Sequence, residues 1–141
     1  MKIGLIGHGF VGSALYQSFT SRGQEVYVYD KYKELGAMKD MYDCEVIFLC
    51  LPTPFIEGFG YDLSAIQESC LNLSKYVYTG LVVLKSTVAP GTTKKLGEDY
   101  GLNIVNNPEF LSQKTAFEDF DKQSHIVIGH NYRDSILNKE Y

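Results

Sequence analysis

The stretch Gly7-His8-Gly9-Phe10-Val11-Gly12 limits what this chain can fold into more than any other segment. It follows the short apolar run Lys2-Ile3-Gly4-Leu5-Ile6. It precedes Val11 to Arg22, in which Val11, Ala14, Leu15 and Phe19 recur at helical spacing. Glycine-rich turns of the form G-x-G-x-x-G are common in unrelated proteins, so the match is weak by itself. Between a strand and a helix it is much stronger. There the first glycine permits a tight turn, the second lets a pyrophosphate come close to the backbone, and Gly12 lets helix and strand pack together. The pyrophosphate would meet unpaired N–H groups and the positive end of the helix dipole, with no lysine needed.

Gly23 ends this helix, and Glu25-Val26-Tyr27-Val28-Tyr29-Asp30 is a β-branched and aromatic run of strand length closed by an acid. Asp30 follows Gly12 by eighteen residues. At the end of the second strand, a carboxylate can accept hydrogen bonds from the adenosine ribose hydroxyls, which favours NAD. A 2′-phosphate would meet like-charge repulsion there, although Lys31 and Lys33 keep NADP conceivable. The plainer alternative is a flavodoxin-like turn with Asp30 merely ending a strand in solvent. Acid, strand and helix together favour the dinucleotide site.

Further along, a charged helix is expected from Lys31 to Met41, then an apolar strand from Val46 to Leu51 covered on both faces and stopped by Pro52 and Pro54. Asp62 can cap a helix whose Ile66, Cys70, Leu73 and Val77 keep one apolar side. Leu81 to Lys85 reads as a strand, Pro90 to Tyr100 as a short helix closed near Gly101, and Asn103 to Val105 and His125 to Ile128 as further strands. The tail is weakly helical from Tyr132 to Asn138. Strands alternating with helices predict an α/β, Rossmann-type, doubly wound and mostly parallel sheet with helices on both faces. Residues 1–130 form its single domain and 131–141 a tail. With 141 residues, 45% of them hydrophobic and 21% charged, the chain suits one such domain.

A formal charge of −4 and a pI near 5.3, with no basic cluster, argue against a nucleic-acid partner. The longest apolar run falls far short of the roughly 20 residues that span a bilayer, so no membrane partner is expected. Cys44, Cys50 and Cys70 lack C-x-x-C spacing, which suggests neither disulfides nor zinc and a cytoplasmic setting. His8, His125 and His130 stand in separate segments without a ligand-like neighbour, so no metal is expected.

Three later segments occur in order: Leu49-Cys50-Leu51-Pro52-Thr53-Pro54, Lys85-Ser86-Thr87-Val88-Ala89-Pro90-Gly91-Thr92-Thr93 and Asn107-Pro108-Glu109-Phe110-Leu111. With the glycine turn they resemble the UDP-glucose and GDP-mannose 6-dehydrogenases, from Met1 to about Gly129. The resemblance implies NAD as cofactor and two hydride transfers that turn a sugar C6 alcohol into a carboxylate, through a cysteine-bound thiohemiacetal and a thioester. It implies that Gly7, Gly9, Phe10, Val11 and Gly12 meet the pyrophosphate, Asp30 the ribose, and Thr53 the cofactor beside the Pro-Thr-Pro loop. Thr87 would reach the nicotinamide and help hold a catalytic water. Glu109 would act as general base toward that water, and Phe110 and Leu111 would present backbone to substrate. The bland alternatives are that Thr53 and Thr87 cap strand ends and that Glu109 is a solvated loop acid.

The sequence departs from the family in two ways. Gln113 stands where the family usually has a second glutamate, and glutamine cannot take a proton. The family's long connecting helix, which is its main dimer contact, and the sugar-binding domain with its nucleophilic cysteine, lysine and aspartate are not found in these residues. Cys50 and Cys70 fall in apolar settings that argue against their substituting for that cysteine. The expected function is therefore the NAD-binding domain of a nucleotide-sugar 6-dehydrogenase, with UDP-glucose favoured as substrate, not active alone. A homo-oligomer or a complementing chain is its expected partner. The alternative is a stand-alone, non-catalytic NAD-binding or interaction module. A third reading, another NAD-dependent reaction on this domain alone, is weaker because a lone Rossmann unit rarely encloses a hydride acceptor.

Overall fold

The computed structural model describes residues 1–129. The tail from Tyr132 to Asn138 lies outside the described residues. Five strands, β1 (Lys2–Ile6), β2 (Glu25–Tyr29), β3 (Val46–Leu49), β6 (Leu81–Leu84) and β7 (Asn103–Asn106), pair in the order β2-β1-β3-β6-β7. Every pairing in this sheet is parallel. The helices are α1 (Phe10–Ser21), α2 (Ser64–Lys75), α3 (Thr92–Tyr100) and α4 (Ala116–Asp121).

Strand alternation divides the core between the two faces of the sheet. On one face Ile6, Ile47, Leu49, Val82 and Leu84 pack with Ile66, Cys70 and Leu73 of α2 and Leu96 of α3. On the other, Phe19 of α1 meets Phe48 of β3 at 5.3 Å between ring centroids and Phe120 of α4 at 6.0 Å. Tyr78 ties the first face to the chain before β3 by donating its hydroxyl to the Cys44 carbonyl at 2.9 Å.

Between β2 and β3 the expected helix from Lys31 to Met41 does not form. Asp30 and Leu35 exchange two backbone hydrogen bonds, and only Met38–Met41 makes a 3₁₀ turn. The cause is local competition. The Asp30 carboxylate captures the N–H groups of Tyr32 and Lys33, and Glu34 and Gly36 take left-handed φ values of 52° and 62°. Met41 and Cys44 fill the place against Gly4, where a Cβ would lie 3.1 Å from the Met41 sulfur.

Smaller departures have similar causes. Helix α2 stops before Val77, which has a φ of 53° and is 77% exposed, so Val77 does not extend the apolar side. Asp62 accepts from Ser64 N–H at 2.9 Å and so serves the start of α2. Helix α3 starts at Thr92, after Gly91, rather than at Pro90. Residues 125–128 are not a strand, since only Gly129 bridges Asn106 and Ile126, Val127 and Ile128 face solvent. The segment after Pro54 holds a small antiparallel hairpin, β4 (Phe55–Ile56) and β5 (Gly60–Tyr61). Among the described residues, no helix is long and apolar enough to cross a membrane.

Candidate functional site

Strand order reverses at β1. The chain leaves β1 through α1 to β2 on one side, then returns to place β3 on the other. Beyond the carboxyl ends of such strands the loops part and leave a crevice, the usual ligand position in open α/β sheets. Here a cavity of about 500 Å³ opens there, within the size range of small-molecule sites. Its lining includes Gly7, Gly9, Phe10, Val11, Asp30, Thr53, Thr87 and Glu109.

The glycine turn is built by close backbone approach. Gly7 has a φ of 93° and donates its N–H to the Tyr29 carbonyl at 2.9 Å; a Cβ there would collide with the Cys50 carbonyl. Gly12 is buried in the first turn of α1, and a Cβ on it would drive into the Gly7 carbonyl oxygen. At Gly9, by contrast, a Cβ would meet nothing within 4 Å. No side chain caps the N-terminus of α1, and its first turn carries no acid. Its leading N–H groups therefore face the cavity without a protein partner, a fit for an anion such as a pyrophosphate.

Asp30 stands beside this turn. One carboxylate oxygen accepts from His8 N–H at 2.7 Å, the other from Tyr32 and Lys33 N–H at 3.0 Å. Burial tends to raise its pKa, but the N–H groups of His8, Lys33 and Tyr32 prevail and hold it below the ordinary aspartate value. The oxygen that takes Tyr32 and Lys33 N–H is filled, while the one bonded to His8 N–H keeps a lone pair that can accept from a ribose hydroxyl. The two nearby lysines are engaged. Lys31 pairs with Glu68 at 2.7 Å, and the Lys33 ammonium donates to the His8 carbonyl at 2.5 Å.

On the far side, the Ser86 hydroxyl accepts from Leu51 N–H at 3.0 Å and donates to the Leu51 carbonyl at 2.7 Å. Thr53 donates its hydroxyl to the Thr87 carbonyl at 2.6 Å. These bonds clamp the loop after β3 to the loop after β6, placing Thr53 and Thr87 side by side. Glu109 is half-buried on the cavity wall and accepts from Leu111 N–H at 2.6 Å. Phe110 is 75% exposed, and neither Phe110 nor Leu111 lines the cavity. Gln113 is exposed in a turn away from it.

Two residues of the site carried no individual signal in the sequence. Ser86 acts through the clamp just described. Lys85 is 3% exposed yet lines the cavity, and its ammonium donates to the Asn107 side-chain oxygen at 3.0 Å. A buried lysine at a strand end follows no periodicity, so only the folded chain shows it.

The cysteines are poorly suited to nucleophilic work. Burial pushes the Cys50 and Cys70 thiols up to about 12 and the Cys44 thiol up to about 11. All three therefore stay protonated at neutral pH.

Residues 33–140 match the family model for the UDP-glucose/GDP-mannose dehydrogenase family, NAD binding domain. The UDP-glucose 6-dehydrogenase AglM of Haloferax volcanii is 28% identical over 92% of this chain and 41% of its own length. That alignment extends over 177 positions, more than the chain's 141 residues, so the relative carries segments that this chain lacks. The UDP-glucose 6-dehydrogenase of Rickettsia bellii is 32% identical over 73% of this chain and 26% of its own length. In fold, the chain is similar to a GDP-mannose dehydrogenase from Pseudomonas aeruginosa solved as a ternary complex, with a TM-score of 0.78 and 24% identity, over 93% of this chain and 41% of that one. The chain thus spans well under half the length of these relatives. With an uncapped helix, a glycine turn and the Asp30 carboxylate around one cavity, and with a family model matching most of its length, the chain belongs to the UDP-glucose/GDP-mannose dehydrogenase family and is its NAD-binding domain.

Proposed function

We propose that this domain, spanning residues 1–130, supplies the cofactor half of a nucleotide-sugar 6-dehydrogenase acting in the cytoplasm, with UDP-glucose as the favoured substrate. Sugar oxidation would require a sugar-binding domain contributed from outside these residues, in the same polypeptide or in a complementing chain. The observation that carries the reading is the convergence of Thr53, Thr87 and Glu109 on the cavity wall opposite Asp30. With the adenosine ribose at Asp30 and the pyrophosphate at the N-terminus of α1, the nicotinamide would extend toward Thr53 and Thr87. NAD, when bound, supplies the hydride acceptor.

The chain's own residues then position and exclude. The glycine turn carries the phosphates, and the clamp between Leu51 and Ser86 holds the two threonine loops around the reacting end. Glu109 has one carboxylate oxygen anchored by Leu111 N–H, leaving the other free to take a proton from a water. Phe110 and Leu111 directly follow the cavity-lining Glu109 in the chain, and their backbone would meet the incoming sugar. A non-catalytic module would need none of this wall.

The test is NADH formation from UDP-glucose by the chain mixed with the sugar-binding part of the Haloferax volcanii relative. Turnover is expected in the mixture and in neither part alone. Glu109→Gln should lower it on the order of a hundredfold or more, the usual range for losing a general base. An inert mixture in which the chain still binds NAD would contradict the reading.

A further inference from the structure

We infer that Lys85 sets the preference of this site for the oxidation state of its cofactor: a buried ammonium at the nicotinamide end of the cavity favours NADH over NAD+. The inference rests on the cavity being the dinucleotide site.

The orientation follows from topology. Asp30 ends β2, at one side of the sheet, and the glycine turn follows β1 at its centre. A dinucleotide held at both points extends its other end over β3 and β6. Lys85 follows β6 directly and forms part of the cavity wall there.

The charge at that position is poorly compensated. The Lys85 ammonium donates to the neutral Asn107 side chain, and among the described residues it forms no ion pair. Two titratable groups face it. Cys50 holds a protonated thiol, and Glu109 is a half-buried carboxylate already accepting from Leu111 N–H. At 3% exposure the ammonium is screened by water less than the Glu109 carboxylate is. Phe120 lies 6.0 Å from the ammonium, its ring face supplying a weak further contact.

The nicotinamide ring is cationic in NAD+ and neutral in NADH. Beside a buried ammonium the cationic ring is repelled and the neutral ring is not, at short range and low effective dielectric. Burial lowers the Lys85 pKa, a shift that the Glu109 carboxylate opposes. In the alcohol-oxidising direction, tighter binding of the reduced form strengthens the pull on the hydride.

Calorimetric titration of the chain with NAD+, NADH and ADP-ribose, the last lacking the nicotinamide, tests this. The unmodified chain should bind NADH on the order of tenfold tighter than NAD+. Lys85→Met should bring the two affinities together, mainly by improving NAD+, whereas Lys85→Arg should keep the gap. ADP-ribose should bind alike to all three. Equal affinities in the unmodified chain, or a gap that survives in Lys85→Met, would overturn the inference. The first of these decides even if Lys85→Met does not fold. Failure of ADP-ribose as well as both dinucleotides to bind would instead refute the cofactor site on which the inference rests.

Discussion

Gly12→Val should cost the chain a large share of its stability, and the folded fraction should no longer bind NAD. The valine Cβ would be driven into the Gly7 carbonyl oxygen, a backbone atom that cannot swing aside as a side-chain terminus could. Gly7 cannot retreat either. Its N–H is bonded to Tyr29, and its own space on the other side is closed by the Cys50 carbonyl. Relief would require separating α1 from β1, whose Leu5, Ala14 and Leu15 are fully packed. A loss of about 3 kcal/mol, at the upper end of ordinary overpacking, is a large share of the stability of a small domain. The urea midpoint of the purified variant reads this directly, and a midpoint close to that of the unmodified chain would show that the turn is looser than described.

Asp30→Ala should leave a folded domain that binds NAD on the order of a hundredfold more weakly, because hydrogen bonds to a charged acceptor are among the stronger ones. The same carboxylate also orders the turn itself, through His8, Tyr32 and Lys33 N–H. Discrimination against NADP should shrink in the variant as the repulsion of a 2′-phosphate disappears. Lys31 and Lys33, engaged with Glu68 and the His8 carbonyl, are not placed to reverse that preference unaided. Parallel titrations with NAD and NADP measure both effects, and unchanged NAD affinity would remove Asp30 from the site.

The elements that position the cavity were legible because each carried a pattern of its own. Strands β1, β3 and β6 are apolar runs bounded by glycine or proline, and α1 repeats its apolar residues at helical spacing after the glycine turn. The segment from Lys31 to Met41 misleads because its charged residues suit a solvated helix, while the decisive influence comes from the Asp30 side chain bonding forward to the backbone. Composition does not register that competition. The run from His125 to Ile128 has strand composition but joins the sheet only at Gly129, an outcome set by tertiary context. Hairpin β4–β5 and helix α4 are too short to show a period.

The site itself was readable in outline. Ordered motifs drew attention to Thr53, Thr87 and Glu109, and the fold brings them to one wall. Lys85 and Ser86 lay inside one of those motifs without being distinguished from their neighbours. Their importance comes from burial and from bonds across to Asn107 and Leu51, which are long-range facts.

The most direct test is calorimetric titration of the unmodified chain with NAD. One saturable site per chain, lost with Asp30→Ala, is the expected result and would show the cavity at the carboxyl ends of β1 and β3 to be a working cofactor site. No detectable heat or saturation at millimolar NAD, from a chain shown to be folded, would contradict it.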